Sequence, residues 1–374
     1  MSNLNFSLNM LEWAANNIGL RLEEAVTKIS ESEKTQKKLL NGEFSVNQAE
    51  NFAKITNIPF GYLFLNEPPL REKPSLPDLR QAPNFQPLSN NFYAVLEDVK
   101  FKQEWYIDFL KSIDAEPLKF VGAFKDKNVS YKIIAKDIYE TLGLPISTKT
   151  RKDRDKYLSS LIEKCEKNRI LIFRSGVVKN NNNRPLEVSD FRGFVISNNY
   201  APAIFINLQD APSARIFTLA HELAHIWLGQ SAVDDLDIYG NDKVEVLCNR
   251  IAAEVLVPED IFLDQWTIHN GNIQKLSDHF GVSILVISRV ALTLNRITKD
   301  KYNEIYNIVK VREISKIKDS SGGSYYTNTL MKNTNLVSRA VINSALTGKI
   351  TLREAGHILD MNPQSVISLG ERIS

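Results

Sequence analysis

The chain has 374 residues, 43% of them hydrophobic and 24% charged, with a net charge of only +2. Such a composition suits a protein of two or three domains with ample core, and the near-neutral balance excludes a chain that grips polyanions with its whole surface, so any nucleic-acid contact must be local. The two cysteines, Cys165 and Cys248, exclude a disulfide framework and a cysteine-built zinc site, and the lack of a signal peptide or a long apolar run makes the cytoplasm the expected compartment, with no membrane role.

Residues 1–67 read as short helices: Met10 to Asn17, Leu22 to Ile29, Glu33 to Leu40, Asn47 to Ile55 and Pro59 to Leu65. The turn at Ser30–Ser32 between the second and third makes a helix-turn-helix pattern. Its second helix would expose Lys34, Thr35, Gln36, Lys37 and Lys38, of which Gln can read adenine edges and Lys can reach phosphates or guanine. A helical domain kept for protein contacts, its lysines a solvated face balanced by Glu12, Glu23, Glu24 and Glu33, fits the same pattern. Leu11-Glu-Trp-Ala14, Gly19-Leu-Arg-Leu-Glu-Glu-Ala25 and Phe60-Gly-Tyr-Leu-Phe-Leu65 resemble XRE-type helix-turn-helix domains, and the resemblance implies an operator DNA as partner.

Residues 68–90 are proline-rich and read as a linker or surface strap. Residues 91–168 return to helical spacing, with a long amphipathic helix carrying Phe92, Val95, Val99, Trp105, Phe109 and Leu110, a second over Val129 to Leu142, and a third over Tyr157 to Lys167. The character then changes. Arg169–Ser175, Phe191–Ser197 and Ala203–Asn207 read as strands, with Lys179–Pro185 a polar loop.

The next stretch, Ser213-Ala-Arg-Ile-Phe-Thr-Leu-Ala-His-Glu-Leu-Ala-His-Ile-Trp-Leu-Gly229, reads as a helix with Ser213 as N-cap and Gly229 as the terminating glycine. His221 and His225 are four apart and stack on one face, with Glu222 directly after the first. In this H-E-x-x-H arrangement two imidazoles hold zinc and the Glu handles a proton. Zinc needs a third ligand. On the following helical pattern, ended by Pro258, Glu245 is the favoured candidate, with a capping box with Asp242 as its alternative role and Asp234, Asp235, Asp237 and Glu254 as weaker competitors. Asn249, four residues after Glu245, is placed to hold a ligand histidine through its other ring nitrogen.

H-E-L-A-H followed by Glu245-Val-Leu-Cys-Asn-Arg-Ile-Ala-Ala-Glu-Val-Leu-Val-Pro258 resembles the ImmA/IrrE zinc metallopeptidases. The resemblance implies Zn2+ held by His221, His225 and Glu245, with Glu222 as catalytic base. It also implies a small thermolysin-like core beside a short sheet, in which the strand Ala203, Ile204, Phe205, Ile206, Asn207 is an edge that holds substrate backbone. Cys248 and Val257 stand where Ala and Met are common, as core changes that leave the ligands alone. Tyr239 and His279 are candidates for stabilising the oxyanion. The implied role is a specific cut in a repressor-like protein. A chain of this layout also resembles antitoxins encoded beside a PIN-like ribonuclease toxin, which bind the toxin and repress the operon without needing hydrolysis. A homodimer is compatible with either.

After Pro258 the chain is helical again. Ile273–Arg289 looks like a second helix-turn-helix, turning at Gly281 and expected to be structural, and Thr351–Ile373 like a third, with His357 not a ligand. The expected fold is α+β and mostly helical: an N-terminal helix-turn-helix bundle (1–67), a linker (68–90), a helical region (91–168), a zinc peptidase core with a small sheet and trailing helices (169–318), and a helical C-terminal domain (319–374).

Overall fold

The computed structural model describes residues 4–16, 18, 20–56, 58–69, 88–144, 153–234, 243–314 and 325–373. Among these residues the fold is α+β and mostly helical, as expected, with seventeen α-helices and three small sheets. They divide into two compact units, one running to residue 69 and including 88–93, the other beginning at Ala94.

In the first unit β1 (Leu4–Asn5) is followed by α1 (Leu8–Asn16), α2 (Leu22–Thr27), α3 (Glu33–Leu40), β2 (Glu43–Phe44), α4 (Val46–Thr56) and a 3-10 turn, Phe60–Phe64. β1 and β2 pair antiparallel. Leu11, Ala14, Val26, Leu39, Phe44 and Phe52 form the core. Gly42 is required there, because its φ is +85° and a Cβ would come within 2.5 Å of the Phe6 carbonyl oxygen. On α3, Lys34, Lys37 and Lys38 are exposed, and Thr35 and Gln36 half-buried. Gln36 Nε2 donates to the Ser30 carbonyl at 2.8 Å, so this amide ties the helix to its own turn instead of standing out to meet a base edge.

In the second unit come α5 (Asn90–Ser112, from Ala94 onwards), α6 (Tyr131–Leu142) and α7 (Arg154–Lys167). The strands β3 (Leu171–Ser175), β4 (Val177–Val178), β5 (Asn181–Pro185), β6 (Gly193–Ile196) and β7 (Ala203–Asn207) follow. Where a polar loop is expected over Lys179–Pro185, β4 and β5 form a hairpin. Pairing uses only backbone groups, so a run of asparagines can make a strand with its side chains in water.

After β7 come α8 (Pro212–Leu228), β8 (Ala232–Asp234), α9 (Lys243–Leu256), α10 (Glu259–Ile268), α11 (Ile273–Phe280), α12 (Ile284–Thr293) and α13 (Lys299–Ile314). The C-terminal helices are α14 (Tyr325–Asn333), α15 (Asn335–Leu346), α16 (Leu352–Ile358) and α17 (Pro363–Ile373). α8 begins two residues earlier than expected. Ala211 is the N-cap and Pro212 the first helical residue, so Ser213 lies inside the first turn. Proline suits that position because its fixed φ is helical and its missing N–H would have no partner there. Gly229 ends the helix in the left-handed conformation, φ 69°.

The main sheet runs β3–β7–β6–β8, with β7 parallel to β3 and antiparallel to β6. β7 is therefore interior and fully buried, and Ala203–Asn207 cannot be an edge. Both of its backbone rims are already paired, so no substrate strand can add to it. The edges are β3 and β8. α11 and α12 meet at 110° around Gly281, and Leu276, Phe280, Val286 and Ile287 join the same core as α8 and α9, which gives this pair a structural role.

Polar contacts tie the C-terminal helices to this core. Lys102 of α5, almost wholly buried, sits 2.6 Å from Asp98 and 2.9 Å from Asp360, which lies between α16 and α17. Lys179 adds a second cation, 3.2 Å from Asp360. Glu166 at the end of α7 accepts from the Asn335 backbone N–H at 3.1 Å and its side-chain amide at 2.8 Å, capping α15. Among the described residues no single helix is long and apolar enough to cross a membrane. Lys102→Met should cost about 3 kcal/mol in urea unfolding, because it leaves two carboxylates facing each other with only Lys179 between them.

Candidate metal centre

The sequence of α8 leaves it little choice of position. Every residue from Ile216 to Leu228 is buried, the mark of a helix enclosed on all sides by the sheet, α6, α7 and α9. Three of those residues, His221, Glu222 and His225, are polar and have no exposed surface. Such groups are stable inside a core only with partners.

α9 supplies them on a single face. Glu245, Cys248 and Asn249 follow at helical spacings of three and four, and all three reach the histidine pair. Glu245 Oε2 lies 3.1 Å from His221 Nε2, and its Oε1 lies 3.3 Å from His225 Nε2. The two Nε2 atoms are 3.1 Å apart. Burial pushes the Glu245 carboxyl up, but with protons on the facing imidazole nitrogens their hydrogen bonds and charge outweigh it and hold the group at about 2. It is an anion.

The outer ring nitrogens show which tautomer this requires. His221 Nδ1 lies 3.1 Å from Asn249 Oδ1, which can only accept, so Nδ1 carries a proton, and the Nε2 that faces Glu245 is the nitrogen that can shed its own and offer a lone pair. Cys248 Sγ lies 3.6 Å from His225 Nδ1, in position to do the same for the second ring. Two nitrogen lone pairs and a carboxylate then converge on one point. That arrangement repels itself unless positive charge sits there, as protons on the rings or as a metal cation. A tetrahedral ion bonded at about 2.0–2.1 Å holds its ligand atoms about 3.3 Å apart, close to the separations found. His221, His225 and Glu245 thus form a buried group with the donor set and spacing of a metal site.

Gly193 of β6 completes the centre. A Cβ at this position would lie 2.6 Å from Thr218 Cγ2 and 3.0 Å from Glu222 Oε1. Only glycine lets α8 lie so close that the Glu222 carboxylate rests against the strand.

Residues 169–290 match the family model of the IrrE N-terminal-like domain, Peptidase_M78. The match runs from just before β3 into α12 and takes in the whole centre. It supports the ImmA/IrrE family and a metallopeptidase domain in this part of the chain. Residues 337–372, from α15 to α17, match a model for a domain of unknown function, DUF8813. No curated protein and no solved structure matches.

Within the M78-like segment, Glu254 lies on α9 outside the three-residue group, its carboxyl raised chiefly by burial. His279 lies among rings, 6.1 Å from His269 and 4.9 Å from Phe280, also outside the group. Tyr239, Asp235, Asp237 and Asp242 lie outside the described residues, as does the side chain of Asp234. Two residues escape a reading of the sequence. Cys248, taken as core filling, touches His225, and its place between Glu245 and Asn249 on one helical face was the available signal. Gly193 had none, since its role depends on a helix more than twenty residues later.

Asn249→Ala should weaken metal binding about 10- to 100-fold in a chelator competition, with the metal-free fold retained, because His221 loses the partner that fixes its tautomer.

Proposed function

We propose that this chain is a zinc-dependent endopeptidase that makes a specific regulatory cut in a protein partner. The observation that carries the reading is the triangle of His221, His225 and Glu245 donors with the Glu222 carboxylate one residue along the same helix. Two imidazoles and one carboxylate are a donor set that suits zinc and leaves one position open. The chemistry that zinc supplies at such a site is Lewis acidity towards water and towards a carbonyl oxygen. Glu222 is the proton carrier. Its carboxylate takes a proton from water as the water oxygen adds to the peptide carbonyl carbon, then delivers that proton to the departing amine nitrogen as the C–N bond breaks. The close approach of Gly193 leaves the carboxylate resting against β6.

Coupling to DNA is part of the proposal. Its support is the exposed Lys34, Lys37 and Lys38 on α3, which follows α2 across a short turn. These cations would grip phosphates of an operator, while Thr35 and the engaged Gln36 contribute less. The site's near-complete burial favours a second reading, an antitoxin that binds a cognate toxin with hydrolysis dispensable. The two readings part at one residue. As an endopeptidase, Glu222→Gln should retain its metal yet cut the partner protein about 100- to 10,000-fold more slowly. As an antitoxin, the same variant would keep a stable toxin complex and full protection, and no cleavage would be found in the wild type.

A further inference from the structure

Behind the metal ligands, α9 and α12 enclose a pocket of about 340 Å3. That is a volume typical of ligand sites. Its walls are aliphatic, with Val246 and Ala253 from α9 and Val286 and Val290 from α12. Two guanidinium groups also line it, Arg250 on α9 and Arg289 on α12, and both are exposed. Each lies over a tyrosine face, Arg250 at 6.0 Å from the Tyr131 ring and Arg289 at 5.9 Å from the Tyr302 ring. Among the described residues neither has a carboxylate within ion-pair distance. The acids of the pocket are otherwise engaged. Glu259 is paired with Lys132 at 2.5 Å, and Glu254 is half-buried against the backbone that leads to Glu259.

An aliphatic trough flanked by two available cations complements a segment that is apolar and acidic at once. The carboxylates of Glu254 and Glu259 oppose a polyphosphate, and of the two rings that line the pocket, Tyr131 and Phe217, the first already lies under Arg250, while the rest of the apolar lining is aliphatic. Asn249 lines the same pocket while accepting from His221 Nδ1, so whatever fills it lies one side chain away from a metal ligand.

We propose that this pocket selects the protein substrate: an apolar side chain enters between α9 and α12, and a neighbouring carboxylate of the same segment pairs with Arg250 or Arg289. The proposal rests on the endopeptidase reading for its purpose, but the pocket is tested without catalysis. Full-length Glu222→Gln protein is titrated against fluorescein-labelled Asp-Leu-Phe-Glu-Asp and Lys-Leu-Phe-Lys-Lys peptides and followed by fluorescence anisotropy. The acidic peptide should bind at least about tenfold more tightly, and reversing both charges, Arg250→Glu with Arg289→Glu, should abolish that preference. Val290→Trp, which fills the trough and leaves the cations, should also abolish binding. Metal content and melting temperature serve as controls of folding, and the exposed arginine pair can be changed without disturbing the core. Equal affinity for both peptides, no saturable binding, or binding that survives both changes would overturn the proposal. An acidic peptide bound as described, in a chain whose wild type cuts no protein partner, would instead remove the endopeptidase reading and leave the pocket standing.

Discussion

Two imidazole nitrogens and a carboxylate, 3.1 to 3.3 Å apart in the middle of a protein core, are the constraint on which this structure depends. Polar groups so placed are costly unless each finds a partner, and a buried anion more so. The surrounding fold answers that need piece by piece. α8 and α9 pack along their length, bringing residues of the two helices together across a gap of twenty in sequence. Asn249 and Cys248 take the outer ring nitrogens, so both inner ones are turned towards Glu245. Gly193 lets the sheet approach until Glu222 rests against it. Removing any one of these alters where the others can sit.

Much of this centre was legible in the sequence because helices have a fixed period. His221 and His225 fall four apart, Glu245 and Asn249 likewise, and a pattern of that kind needs no knowledge of the rest of the chain. Sheet order is another matter. The alternation and apolarity of Ala203–Asn207 identify a strand but carry no record of its neighbours, and the pairing with β3 on one side and β6 on the other removes the edge role. The asparagine-rich hairpin was hidden for a related reason: backbone pairing leaves little trace where the side chains, as at Asn181, Asn182 and Asn183, face water. Long-range polar partnerships are the least legible of all. Nothing around Lys102 announces a buried lysine, since Asp360 lies 258 residues further along.

The C-terminal helices are more than an appendage to the metallopeptidase-like core. Asp360, held between Lys102 and Lys179, and the Asn335 end of α15, capped by Glu166, bind this segment to α5, the hairpin and α7 through buried or half-buried contacts. These contacts are directional and satisfied, so they specify one docking geometry. The helix pair α11–α12 plays a comparable part on another side of the core. It buries Leu276, Phe280 and Ile287, and it leaves Arg289 exposed beside the pocket. A helix-turn-helix pattern in the sequence has here become a wall of the candidate site.

Metal analysis of the purified protein tests the account most directly, with His221→Ala and Glu245→Ala measured beside the wild type. The account predicts about one zinc per chain in the wild type and its loss in both variants, each still folded. A wild type that takes up no metal when zinc is supplied, or variants that keep the full complement, would contradict it.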